Sequence, residues 1–198
     1  MFAPSMQLYY QLEVHNIRTS KLVRRTRKYR AHSFLVAYIQ HLRGFWNNAI
    51  ESNLIDTGSA SGNIDIPGNV PLFAVAAAVG VTNNGLRVGT GTTAVAMTDD
   101  SVETPVAEGT GSGQLTHGAT TISTHAGGAA EASFTAVRTF SNSSGGTITV
   151  TETAVYCASD NSGGTAKFFA LVRDVLSSSV AVGDGQVLTV TYTVKVTT

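Results

Sequence analysis

Residues Met6 to His15 alternate without a break: Leu8, Tyr10, Leu12 and Val14 share one side, and Gln7, Tyr9, Gln11, Glu13 and His15 the other. That period of two predicts a strand with one buried face. Beyond Asn16 to Ser20, the stretch Lys21 to Arg30 carries β-compatible Val23, Thr26 and Tyr29 among many cations, and is expected to return as the second strand of a hairpin. Ser33 can cap a helix whose apolar positions Phe34, Leu35, Tyr38, Ile39, Leu42, Phe45 and Trp46 recur at helical spacing. It is the only persuasive helix in the chain. From Thr57 to Pro71, Gly58, Ser59, Ser61, Gly62, Asn63, Pro67 and Gly68 predict a long irregular connection.

The remainder reads as strands near Leu86–Val88, Gln114–Ser123, Ala132–Phe140, Thr147–Cys157, Lys167–Arg173 and Val187–Val196. Between them stand Asn83-Asn84-Gly85, Ser143-Ser144-Gly145-Gly146, Asn161-Ser162-Gly163-Gly164 and Gly183-Asp184-Gly185, all tolerant of positive φ. The expectation is a mainly β fold, a β-sandwich or jelly-roll-like arrangement with an N-terminal β-hairpin and one α-helix. Along the chain it divides into a basic hairpin plus helix (1–56), an irregular connection (57–82) and a β-sandwich (83–198), together one structural unit.

Composition changes the picture in one respect. Charged residues make up only 13% of the 198, well under the roughly 25% of ordinary soluble domains, so Thr, Ser, Gly and Ala must form much of the surface. The single Cys157 excludes an internal disulfide. Val70 to Val81, the longest apolar stretch, is interrupted by Pro71 and Gly80 and is too short to span a bilayer. No basic segment followed by an apolar run opens the chain, so no secretory signal is expected.

Net charge is zero, yet unevenly spread: 8 basic residues and 1 acid up to Arg43, then 5 basic residues and 12 acids. The basic run Lys21, Arg24, Arg25, Arg27, Lys28 and Arg30 is the strongest charge signal. Contact with a protein neighbour is its leading reading, since the acidic remainder of another copy could supply the counter-charge. A solvated strand face and phosphate neutralisation are the alternatives, and nucleic acid is the least favoured.

Glu152 is placed by the alternation of Ile148, Val150, Ala154 and Tyr156 on an apolar face, and a carboxylate facing a core needs a partner. Arg138 shares the parity of Phe134 and Phe140, and Arg173 that of Phe169 and Leu171, so a structural ion pair of Glu152 with Arg138 or Arg173 is expected. Gly89-Thr90-Gly91-Thr92-Thr93-Ala94 matches a dinucleotide fingerprint, but Val95 to Ser101 shows no helical face to seat the phosphates. Ala154-Val155-Tyr156-Cys157 resembles an immunoglobulin strand without the earlier cysteine and core tryptophan that motif needs. His15, His32, His41, His117 and His125 show no metal-ligand spacing, and no nucleophile elbow or local Cys–His pattern stands out. No cofactor, metal or catalytic residue is expected.

Leu86 to Val95, Val102 to Leu115, Arg138-Thr139-Phe140-Ser141-Asn142, Thr147 to Tyr156, Ala170 to Leu176 and Gly185 to Thr193 together resemble β-rich structural proteins of tailed bacteriophages. The likeness extends to the N-terminal strand, the basic second strand, the short helix and Asp56-Thr57-x-Ser59. It implies a non-enzymatic virion protein, made in the host cytoplasm and assembling with copies of itself and with major capsid, portal, neck or tail proteins. Capsid-surface decoration is favoured over a neck, tail or baseplate adaptor, because the chain is small and has no fibrous repeat. A carbohydrate- or receptor-binding module, the rival of another class, would need exposed aromatics on its loops.

Overall fold

The computed structural model describes residues 5–31, 35, 37–38, 41, 50–65, 73–124, 126–127, 131–161 and 163–197. The strands, in order, are β1 (Ser5–Asn16), β2 (Leu22–Arg25), β3 (Tyr29–Arg30), β4 (Ile50–Ile55), β5 (Ser61–Asp65), β6 (Gly85–Gly89) and β7 (Ala107–Glu108). Then follow β8 (Gln114–Ile122), β9 (Ala126–Gly127), β10 (Glu131–Ser141), β11 (Ile148–Asp160), β12 (Ala166–Val182) and β13 (Gln186–Thr197). The fold is mainly β and sandwich-like. A large sheet in the order β2-β1-β13-β10-β8-β7, with β3 also on β1 and β9 on β10, faces a smaller sheet β12-β11-β6. β4 and β5 form a separate hairpin.

The alternation in β1 does what it predicts: Leu8, Tyr10, Leu12 and Val14 are buried. They pack with Leu188, Val190 and Tyr192 of β13 in the main core. β1 pairs along its length with β13, so the first and last strands lie side by side inside one sheet. That pairing corrects the division at residue 56, because the N-terminal strand belongs to the sandwich itself. The predicted turns at 143–146 and 183–185 are made with Gly145 (φ 78°) and Gly185 (φ 72°) in the left-handed region, where a Cβ is disfavoured.

Two further expectations change. The basic return strand is broken into β2 and β3 at Thr26: its amide still donates to the Leu12 carbonyl at 2.9 Å, but the Leu12 amide is taken by Thr26 Oγ1 at 3.1 Å and the Thr26 carbonyl by Gln11 Nε2 at 2.9 Å. The stretch 57–82 is not wholly irregular, since β5 lies inside it and pairs with β4, a hairpin that weak alternation had hidden. Of the helical stripe, Leu35 and Tyr38 are described; Leu35 and the neighbouring His41 are buried, and Ala37, Tyr38 and His41 are helical. Phe34, Ile39, Leu42, Phe45 and Trp46 lie outside the described residues.

The small sheet is buried on both faces, which is why β11 reads as a nearly continuous buried run. Val150, Val155 and Cys157 face the main core. Ala154 and Tyr156 instead join a second cluster with Leu35, Val102 and Ala170. The switch of face comes at an irregularity where Val150 pairs with Val180 but Glu152 with Val175, leaving 176–179 opposite Thr151 alone. A bulge of this kind turns the following residues over.

Candidate functional site

The outer edge of the large sheet is made by β2 and β3. Every residue of β2 is exposed, Leu22 at 39% and Val23 at 54% among them. Arg25 has a carboxylate, with Nε 2.6 Å from Glu13. Arg24 donates to Ser178 Oγ at 3.3 Å, and the Arg27 guanidinium lies over the Tyr29 ring at 5.0 Å. Among the described residues, no carboxylate pairs with Lys21, Arg24, Arg27, Lys28 or Arg30. A row of charges on an open strand blocks pairing with an identical edge, so the same cations that attract an acidic partner repel a like one.

Behind this edge Tyr29 stacks on Tyr10 with centroids 5.6 Å apart, and Tyr10 contacts Tyr192 at 5.8 Å. A hydrogen bond with Ser177, and then Arg27 and Arg24, hold the Tyr29 hydroxyl below its ordinary range. Burial, with Asp174 adding to it, pushes Tyr10 up to about 12. Tyr10, Arg27, Tyr29, Arg30, Val95 and Asp174 border a cavity of about 420 Å³ between this edge and β12.

Glu152 is completely buried and accepts Arg173 Nε at 2.8 Å. Its Oε1 takes the amides of Gly91 (3.0 Å) and Thr104 (2.9 Å), and Oε2 that of Glu103 (3.1 Å). Arg173 reaches on to Asp99 at 2.7 Å and the Thr93 carbonyl at 3.2 Å. The pair therefore lies on the outer face of the small sheet and ties down the loop of residues 90–105. The glycine run has the role its composition suggests, but toward an internal anion. A Cβ on Gly89 would stand 2.4 Å from Glu152 Oε1, and one on Gly91 2.6 Å, so the backbone wraps a carboxylate where a fingerprint loop would wrap phosphate.

Arg138 is a correction. Its side chain does point inward, but it does not reach Glu152. The guanidinium donates to the carbonyls of Gly118 (2.8 Å), Leu86 (3.0 Å) and Val81 (2.5 Å), and lies over Phe140. Strand β10 carries Arg138 to a seam at Val81 and the start of β6, and carbonyls there replace a counter-ion.

Two buried groupings had no local sequence signal, because their members come from distant strands. Arg87 Nη1 donates to His117 Nδ1 at 3.2 Å, which places the ring proton on Nε2, an atom with no partner among the described residues. Burial, then Arg87 and Arg138, depress His117 to about 3. The ring is neutral, so Glu108 at 3.6 Å meets a lone pair and makes no ion pair; its firm contact is with the His117 amide at 2.6 Å. In the other grouping, His41 Nδ1 donates to the Ala37 carbonyl at 2.7 Å and Nε2 lies 3.1 Å from Ser159 Oγ and 3.5 Å from Cys157 Sγ. All three side chains are fully buried, and burial pushes the Cys157 thiol up to about 12. A protonated, buried thiol is no nucleophile.

Among the described residues, no group of three or more His, Cys, Asp or Glu could hold a metal, and no helix is long and apolar enough to cross a membrane. No family model, curated protein or solved structure matches the chain.

Proposed function

We propose that this chain is a structural subunit of a tailed-phage particle, a non-enzymatic β protein that works by assembling with its own copies and with neighbouring virion proteins. The observation that carries the reading is the exposed β2–β3 edge, five of whose cations have no carboxylate partner among the described residues. Charges left uncompensated on an open strand favour an acidic protein partner, steer its approach, and set the register of the contact. The resemblance of nearly the whole chain to β-rich phage structural proteins points the same way. Decoration of the capsid surface is the preferred position, and a neck, tail or baseplate adaptor the alternative. The buried groupings supply stability to such a subunit and need no substrate.

The test is quantitative mass spectrometry of purified particles of the virus that encodes the chain. Decoration predicts hundreds of copies, and an adaptor a number that a single ring can hold. Absence from purified particles overturns both positions.

A further inference from the structure

The loop that wraps Glu152 is itself acidic, and it reaches the cavity beside the basic edge through Val95. Residues 90–95 run outward across β11 and β12, and Val95 lines the same cavity as Arg27, Tyr29 and Arg30. The loop turns at Ala96, whose amide donates to Asp99 Oδ2 at 3.0 Å, and leaves Met97 60% exposed. It returns through Asp99, Asp100 and Glu103. Arg173 is the one cation that pairs with this group among the described residues, and it is shared by Glu152, Asp99 and Glu103. Among the described residues, Asp100 accepts from the hydroxyls of Ser59 and Ser101. Negative charge is therefore in excess on the loop, just as positive charge is in excess on the edge, and the loop reaches the cavity beside that edge at Val95.

We infer that this face binds a second copy of the chain about a two-fold axis, the basic β2–β3 edge of each copy meeting the 96–103 loop of the other. The inference deepens the structural-subunit reading and rests on it. Adjacency of the two halves is the deciding feature. Complementary surfaces on opposite sides of a molecule join head to tail and run on to rings or filaments, whereas complementary halves side by side on one face satisfy each other in a closed pair. Pairing of two β2 edges directly is opposed by like charge. Apolar area is available at the same place: Leu22 and Val23 on the edge and Met97 on the loop tip are exposed, and each would be covered by the partner.

The experiment is light scattering on the full chain during size-exclusion chromatography, across concentration and salt. At low salt the mass should be twice the chain's 20.6 kDa. It should fall toward the monomer as salt shortens the Debye length to roughly 3 Å at 1 M. The edge variant Arg24→Glu/Arg27→Glu/Arg30→Glu and the loop variant Asp100→Lys/Glu103→Lys should each be monomeric with unchanged circular dichroism. Mixed in equal amounts they should recover a heterodimer and nothing larger. Should Glu103→Lys fail to fold, Met97→Lys/Asp100→Lys replaces it, with the same expected outcome. A wild type that stays monomeric throughout, a dimer indifferent to both variants, or masses beyond two copies would overturn the inference. A monomeric wild type that still enters particles would leave the structural-subunit reading intact and remove the two-fold contact alone; absence from particles would remove the reading itself.

Discussion

Glu152 holds the loop of residues 90–105 in place, because one carboxylate satisfies three loop amides and the Nε of a buried arginine. Removing one partner of a buried pair costs about 3–5 kcal/mol, since the charge left behind is uncompensated. Glu152→Ala should therefore lower the melting temperature by roughly 6–20 °C for a chain of this size, measured by calorimetry. An unchanged melting temperature would mean that the pair does not hold the loop. His117 makes a different prediction, in pH. Its folded value of about 3 lies below the ordinary 6.5, so between those limits the unfolded chain binds the proton that the folded chain refuses. Stability from this group is complete above the unfolded value and is lost as pH falls from about 6.5 toward 3. Urea titrations at pH 7 and pH 5 should show wild type losing stability, with a smaller loss in His117→Gln. Equal losses would show that His117 is not held neutral by the fold.

At the scale of elements, β1, β13 and the loop of residues 90–105 were legible to very different degrees. The even alternation of Leu8 to Val14 and of Leu188 to Val194 specified both the strands and their buried faces, since a period of two permits only one assignment when no bulge intervenes. In β11 and β12 the same rule misled. The extra residues 176–179 of β12 come where Glu152 turns onto the outer face, a second irregularity that leaves out Leu171 comes just before Arg173, and no composition cue marks either bulge. The pairing of Glu152 with Arg173 was expected, but the loop that buries it was not, because three of its acceptor contacts are with backbone amides that sequence does not advertise. Arg138 failed for a related reason: carbonyls can replace a carboxylate, and no side-chain pattern announces them. The glycine run has no following helix to seat phosphates, and its geometry around Glu152 makes a prediction. Gly91→Ala would drive a Cβ to 2.6 Å from Glu152 Oε1, so the loop should lift. Hydrogen exchange at the amides of Thr93, Glu103 and Thr104 should accelerate by at least about tenfold, while exchange in β13 stays as in wild type. Uniform protection across the loop would contradict this wrapping.

On the scale of the whole molecule, the charge asymmetry seen in the sequence becomes a surface. The cations from Lys21 to Arg30 lie along one open edge, while Asp99, Glu103 and Glu152 share Arg173 and Glu13 takes Arg25. That edge is an exposed basic rim, and rims of this kind govern partner choice and association rate more than fold. Reversing Lys21, Arg24, Arg27, Lys28 and Arg30 to Glu should therefore leave the melting temperature within a few degrees of wild type, because exposed charges contribute little to stability. The measurement that tests the account most directly is the copy number of wild-type and edge-reversed chains in purified particles made side by side. The account predicts abundant wild-type protein and essentially none of the edge-reversed variant, although both are folded and equally abundant in the lysate. Equal incorporation of the two, or absence of the wild type from particles, would contradict it.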